Sequence, residues 1–182
     1  GFALETETLP CIVGEALPCP KVARHLVQDL GAIGAVKGET TYNSAGKTLH
    51  TINRTYTPSN SAGDESLFPY SSLLTREDTF FYVVPNPSAL ASTTTTFEYD
   101  LYANIISTKD FGRNGNTGDE RVHNVAFAPN TSLYIVNKKR GETWRQGHTT
   151  SDPILKHSLY YFDNQTDNFV PPIRGDLTSQ KH

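Results

Sequence analysis

The chain has 182 residues and a formal net charge of −3, with 36% hydrophobic and 19% charged side chains. This length suits one domain with its own core, so we expect a single β-rich domain over residues 1–182. The lack of clustered basic residues argues against a nucleic-acid footprint. No apolar stretch is long enough for a transmembrane helix, so we expect no membrane insertion.

One short amphipathic helix is predicted near the N-terminus. Pro20 stands where a helix would begin, and Gly31 where it would end. Between them, apolar side chains recur at helical spacing: Val22, Ala23, Leu26, Val27 and Leu30.

Alternating and β-branched segments predict strands over most of the remaining chain. The predicted strands are residues 48–56, 80–84, 93–108, 122–127, 132–137 and 158–163. Residues 110–120 are predicted to form a polar loop, and the tail from Pro171 is predicted to be irregular. The fold class we expect is α+β, mostly β: an antiparallel sheet or a partly closed barrel with one short N-terminal helix.

The cysteines and the glycosylation sequons indicate the compartment. In an oxidising compartment Cys11 and Cys19 would form a small disulfide ring, whereas in the cytosol they would be two buried thiols. Sequons begin at Asn53, Asn130 and Asn164. Together with the absence of Met, which suggests a processed start, these features predict a secreted, extracellular glycoprotein. We expect no metal or other cofactor, since no Cys or His set has ligand spacing.

Two groups of residues are candidates for binding a partner. The tripeptide Arg174-Gly175-Asp176 can serve as an adhesion ligand at an exposed loop tip, although it also suits an ordinary polar turn. Strand tyrosines such as Tyr99 and Tyr102 are candidates for an aromatic binding surface, with core packing as the alternative.

Four residues on or beside predicted strands suit cleavage of RNA through its 2′-hydroxyl: His50, Glu98, Arg121 and His148. A carboxylate and a histidine can exchange the roles of base and acid, and an arginine can hold the developing charge. A phosphodiester transferase of this kind needs no metal.

The order of these features resembles the fungal guanyl-specific ribonucleases and ribotoxins. The Cys11–Cys19 ring and the helix come first, and four short motifs follow: Leu-His-Thr at His50, Phe-Glu-Tyr at Glu98, Asp-Glu-Arg-Val at Arg121 and Gly-His-Thr at His148. The resemblance implies that Glu98 is the base, His148 the acid, and His50 and Arg121 electrostatic partners. Non-catalytic secreted effectors of plant-pathogenic fungi resemble the same scaffold.

Three functions therefore compete. The first is a secreted recognition or effector-type protein that binds a host or cell-surface protein or glycan and performs no chemistry. The second is a secreted metal-independent endoribonuclease, with RNA as its substrate. The third is a small-ligand carrier whose β-barrel encloses an apolar cavity. The oligomeric state stays open.

Overall fold

The structure, a computed structural model, describes residues 4–9, 19–28, 31–58, 72–83 and 88–182. All the regular structure in these residues is β, with eleven strands. The strands are β1 Leu4–Thr8, β2 Lys21–Leu26, β3 Val36–Tyr42, β4 Thr48–Pro58, β5 Ser72–Tyr82, β6 Ala89–Tyr99, β7 Ile105–Arg113, β8 Arg121–Phe127, β9 Lys139–Gln146, β10 Ile154–Phe162 and β11 Leu177–Lys181. They form an antiparallel sheet whose strand order follows the chain from β1 to β11.

The predicted fold class is wrong on two counts. The described residues contain no helix, and the sheet is not closed, since its strand order begins at β1 and ends at β11. The prediction of an antiparallel sheet is confirmed. None of the described residues belongs to a helix long and apolar enough to cross a membrane.

The predicted helix is instead strand β2, which pairs with β1 on one side and β3 on the other. A segment this short gains little from helical hydrogen bonds alone, because helix nucleation is costly. Arg24 also joins the three strands, since its guanidinium donates to Glu7 and to Glu39, each at 2.9 Å. Leu30, the last residue of the helical pattern, lies outside the described residues.

The chain divides into two compact units, Gly1–Thr95 and Thr96–His182. In the first unit, the buried apolar residues among those described are Val22, Val27 and Ala32. Arg54 and Glu77 are cross-strand partners on β4 and β5, and their side chains form an ion pair at 2.7 Å. Alternating β-branched residues account for β4, which confirms the strand predicted at 48–56.

Among the residues that the structure describes, more of the buried apolar side chains belong to the second unit. Its buried apolar side chains come from β8, β10 and the connections that follow them: Val122, Val125, Ala128, Tyr161 and Phe162. The most deeply buried residues here are Val122, Ser158 and Pro172. Pro172 belongs to the loop between β10 and β11, so this loop is packed into the unit.

The strand predicted at 93–108 is interrupted by a turn. The carboxylate of Asp100 accepts the backbone N–H groups of Tyr102 and Asn104, each at 2.9 Å, and Ala103 has a φ of 61°. Aspartate favours such turns because its side chain can bond to the backbone two residues further along. The turn separates β6 from β7, so Tyr99 ends a strand and Tyr102 lies in the turn.

The strand predicted at 132–137 is also wrong. This segment is a turn closed by an isolated pairing of Asn130 with Ile135, and Tyr134 has a left-handed φ of 54°. The next strand is β9, which begins at Lys139 and Arg140. The polar sequence of β9 lacks the apolar alternation that predicts a strand. The strand predicted at 122–127 is confirmed by β8.

Candidate binding surface

The loop between β10 and β11, residues 163–176, is organised around one carboxylate. Asp163 accepts hydrogen bonds from four successive backbone N–H groups: Ile173 at 2.6 Å, Arg174 at 3.0 Å, Gly175 at 3.3 Å and Asp176 at 3.0 Å. The bond from Arg174, with those from its neighbours, lowers the pKa of Asp163 from 3.8 to about 2, because such bonds stabilise the charged carboxylate. The carboxylate thus fixes the backbone of the tripeptide.

A second set of contacts joins this loop to the connection between β8 and β9, residues 128–138. The Asn130 amide donates from Nδ2 to the carbonyl of buried Pro172 at 2.9 Å, while its Oδ1 accepts the Leu133 N–H at 3.1 Å. The aliphatic part of Lys138 lies over Gly175, where an added Cβ would approach Cε of Lys138 to 2.7 Å. The two connections therefore support each other.

Together these two connections present apolar side chains to solvent, and we call residues 128–138 and 163–176 the loop surface. The exposed apolar side chains are Leu133, Tyr134, Phe169, Val170 and Ile173. Tyr134 is 80% exposed, Phe169 67% and Ile173 63%. The Arg140 guanidinium lies 4.0 Å from the Phe169 ring centroid, which holds one side of that ring.

The predicted adhesion tripeptide lies on the loop surface with both its charges exposed. Arg174 Nε lies 3.3 Å from Asp176 Oδ2, and their side chains are 72% and 61% exposed. An exposed pair of this kind is weak, so a partner can separate the two charges at little cost.

The predicted binding tyrosines, Tyr99 and Tyr102, are both half-buried. The turn that contains Tyr102 adjoins the loop surface, because Asn104 Nδ2 donates to the carbonyl of Val136 at 2.9 Å.

The structure distributes the four predicted catalytic residues over both units. His50 lies on β4 in the first unit, where its ring stacks on Phe81 with centroids 6.4 Å apart. Glu98, Arg121 and His148 lie in the second unit. The Glu98 carboxylate is paired with Lys109 Nζ at 2.5 Å.

Arg121 and His148 lie at the same end of the second unit. The backbone N–H of Gly147 donates to the carbonyl of Glu120 at 2.9 Å, which connects the segments that contain them. Arg121 donates to that same carbonyl at 2.6 Å, while His148 Nε2 lies 2.8 Å from the Asp110 carbonyl. Backbone carbonyls thus hold both side chains.

A polar network on β8, β9 and β10 was missed by sequence reasoning. Glu142, which is 8% exposed, accepts from Tyr160 at 2.8 Å and lies 3.2 Å from His123 Nε2 and 3.4 Å from Lys139 Nζ. Burial opposes the charged form, but these bonds outweigh it and lower the pKa of Glu142. The ring of His123 stacks on Trp144 at 4.0 Å.

Residues 110–113 of the predicted polar loop belong instead to β7, and the carboxylates of this segment bind backbone groups. Asp110 accepts the Gly112 N–H at 2.9 Å, and Asp119 accepts the Arg113 N–H at 3.0 Å. In the part of the chain that the structure describes, no three His, Cys, Asp or Glu side chains are grouped to hold a metal ion.

No family model and no curated protein matches this chain. The resemblance to fungal ribonucleases therefore stays a proposal.

The predicted modification sites differ in their surroundings. Asn53 and Asn164 are exposed, whereas Asn130 is half-buried. The amide nitrogen and the amide oxygen of Asn130 both form hydrogen bonds within the loop surface. Cys11 belongs to residues 10–18, which lie outside the described residues, so its pairing with Cys19 stays a prediction.

Proposed function

We propose that this chain is a secreted recognition protein, of effector type, that binds a protein on a cell surface through the loop surface and performs no chemistry of its own. One observation carries the proposal: exposed Tyr134, Phe169 and Ile173 stand on two connections that are joined by the bond from Asn130 to the carbonyl of buried Pro172, and the Asp163 carboxylate fixes the backbone of the second connection. Aromatic and arginine side chains dominate the binding energy of protein interfaces.

Preorganisation of the backbone supports this proposal. Binding is weakened when loops must be ordered at the moment of contact, and the Asp163 and Asn130 bonds reduce that cost. Tyr134 also adopts a left-handed backbone conformation, with a φ of 54°. Strained residues of this kind persist where the surrounding structure determines them, and they cluster at functional sites.

The chemistry of the surface favours a protein over a glycan as partner. Leu133, Val170 and Ile173 offer only aliphatic groups, which gain free energy by burial against apolar surface. Arg174 and Asp176 add one charge of each sign beside them.

The experiment is binding of the fluorescently labelled chain to intact eukaryotic cells. We expect saturable binding that is lost after the cells are treated with protease and retained after treatment with glycosidases. Binding that survives protease treatment but is lost with the glycans would overturn the choice of a protein partner. Absence of saturable binding to any of a broad panel of cell types would overturn the proposed function.

The extracellular location is part of this proposal. The exposure of Asn53 and Asn164 supports glycosylation there, whereas the bonds of Asn130 oppose it. Expression in a eukaryotic secretory host, with enzymatic removal of N-glycans and mass measurement, tests occupancy. Thiol labelling with and without a reductant tests the Cys11–Cys19 disulfide.

The alternative of a metal-independent endoribonuclease keeps one supporting observation, which is that Arg121 and His148 share one end of the second unit. Incubation with RNA in EDTA tests it. Cleavage by the native chain that disappears in Glu98→Gln would favour this alternative over recognition alone. The carrier alternative loses the closed barrel on which it rested, since the sheet is open.

A further inference from the structure

We propose that Asn114 is a site of spontaneous deamidation in the folded protein. Asn114-Gly115 is the only Asn-Gly pair in the sequence. It lies at the tip of the β7–β8 connection, in a turn closed by a hydrogen bond from the Asn116 N–H to the Arg113 carbonyl at 2.9 Å.

The modification needs only water and a base. Gly115 N gives its proton to hydroxide and forms a bond to Cγ of Asn114. The bond from Cγ to the side-chain nitrogen then breaks, and that nitrogen takes a proton from water, which restores hydroxide, and leaves as ammonia. Water then opens the resulting succinimide at one of its two carbonyl carbons. Breaking the bond from N to the side-chain carbonyl carbon leaves aspartate at position 114. Breaking the bond from N to the main-chain carbonyl carbon leaves isoaspartate, which adds a methylene to the backbone.

The geometry of the turn leaves the attacking nitrogen accessible. Gly115 has a φ of 91°, and no heavy atom lies within 4 Å of the place where a Cβ would stand. Within residues 110–121, all of which the structure describes, hydrogen bonds hold the N–H groups of Gly112, Arg113, Asn116 and Gly118, and none of these bonds involves the N–H of Gly115. Both residues of the pair are exposed.

The product changes the charge of a defined surface. Gly115 and Arg121 line an open depression of about 530 Å³, together with Asp119. A carboxylate at position 114 makes this depression more acidic. Isoaspartate also lengthens the backbone beside Arg113, whose N–H is bonded to Asp119 at 3.0 Å.

The test compares the folded full-length chain with the same chain unfolded in urea, both incubated at mildly alkaline pH and mapped by mass spectrometry. We expect conversion at Asn114 in both samples, with isoaspartate as a product, while Asn116 and Asn124 stay amidated in the folded sample. Asn114→Gln, whose longer side chain disfavours the five-membered ring, should show no conversion at that position. If Asn114 converts in urea but stays amidated in the folded chain, the turn shields it and the proposal is wrong.

Discussion

The carboxylate of Asp163 accepts a hydrogen bond from the backbone N–H of Arg174 at 3.0 Å, across the loop that joins the last two strands. The N–H groups of Ile173, Gly175 and Asp176 bond to the same carboxylate. One side chain therefore determines the conformation of the tripeptide, and its removal is the simplest way to release the loop.

We expect Asp163→Asn to loosen residues 173–176 while the strands keep their pairing. An amide oxygen is a weaker acceptor than a carboxylate, and the amide nitrogen of asparagine cannot accept these N–H groups. Amide hydrogen exchange at Arg174, Gly175 and Asp176 should become faster. The matched control is Asp167→Asn, since among the described residues the Asp167 carboxylate accepts one backbone N–H, that of Phe169, whereas the Asp163 carboxylate accepts four. Equal exchange rates in both variants would show that Asp163 does not hold the loop.

The same carboxylate gives an expected dependence of stability on pH. Its pKa is about 2 in the folded chain against an ordinary 3.8. A depressed folded pKa stabilises the folded state above the unfolded pKa, and this contribution disappears as the pH falls from about 4 towards 2. Urea unfolding of native chain and Asp163→Asn should differ most above pH 5 and converge towards pH 2. A constant difference over this range would contradict the assigned pKa.

Asn130 should contribute to stability through its two hydrogen bonds, to Pro172 and Leu133. Each such bond contributes about 1 kcal/mol, so we expect Asn130→Ala to lower the free energy of unfolding by about 1–2 kcal/mol. Asn137→Ala, at an exposed position of the same connection, is the control and should have little effect. Equal losses in the two variants would show that the contact with Pro172 is not a stabilising one.

Glu142 should be the most sensitive carboxylate of the second unit. Glu142→Gln weakens the bond from Tyr160 and leaves Lys139 and His123 without a charged partner, so we expect a loss of about 1–3 kcal/mol in the free energy of unfolding. Glu98→Gln breaks only an exposed pair with Lys109, and its cost should stay below about 1 kcal/mol. A larger loss from Glu98→Gln would reverse this ranking.

The strands that could be predicted from the sequence are those in which side chains of different polarity alternate from one residue to the next. Strands β4 and β8 alternate clearly, and both were predicted within two residues of their ends. The segment Lys21–Leu26 carries apolar pairs that fit a helix, but its backbone groups are satisfied by two neighbouring strands. Whether this segment forms a helix or a strand depends on its pairing with distant strands, and a single sequence does not show which segments pair.

The candidate surface was visible in part. The tripeptide at Arg174 could be noticed as a motif, and Asp163-Asn164 carries a turn signal, because both residues tolerate a left-handed conformation. The contact between Asn130 and Pro172 spans 42 residues, so local pattern could not predict it. For the same reason the network around Glu142 was missed, since its members come from three strands.

The most direct test of the proposed recognition surface is a measurement of dissociation constants on cells that bind the native chain. The variants are Phe169→Ser and Ile173→Ser in the loop surface, and the control is Leu155→Ser. Leu155 is similarly exposed and lies at the opposite end of β10. Truncation of a central interface side chain costs about 2 kcal/mol or more, so we expect each loop variant to bind at least about thirtyfold more weakly. Leu155→Ser should bind like the native chain. If both loop variants fold and bind like the native chain, the loop surface is not the recognition surface.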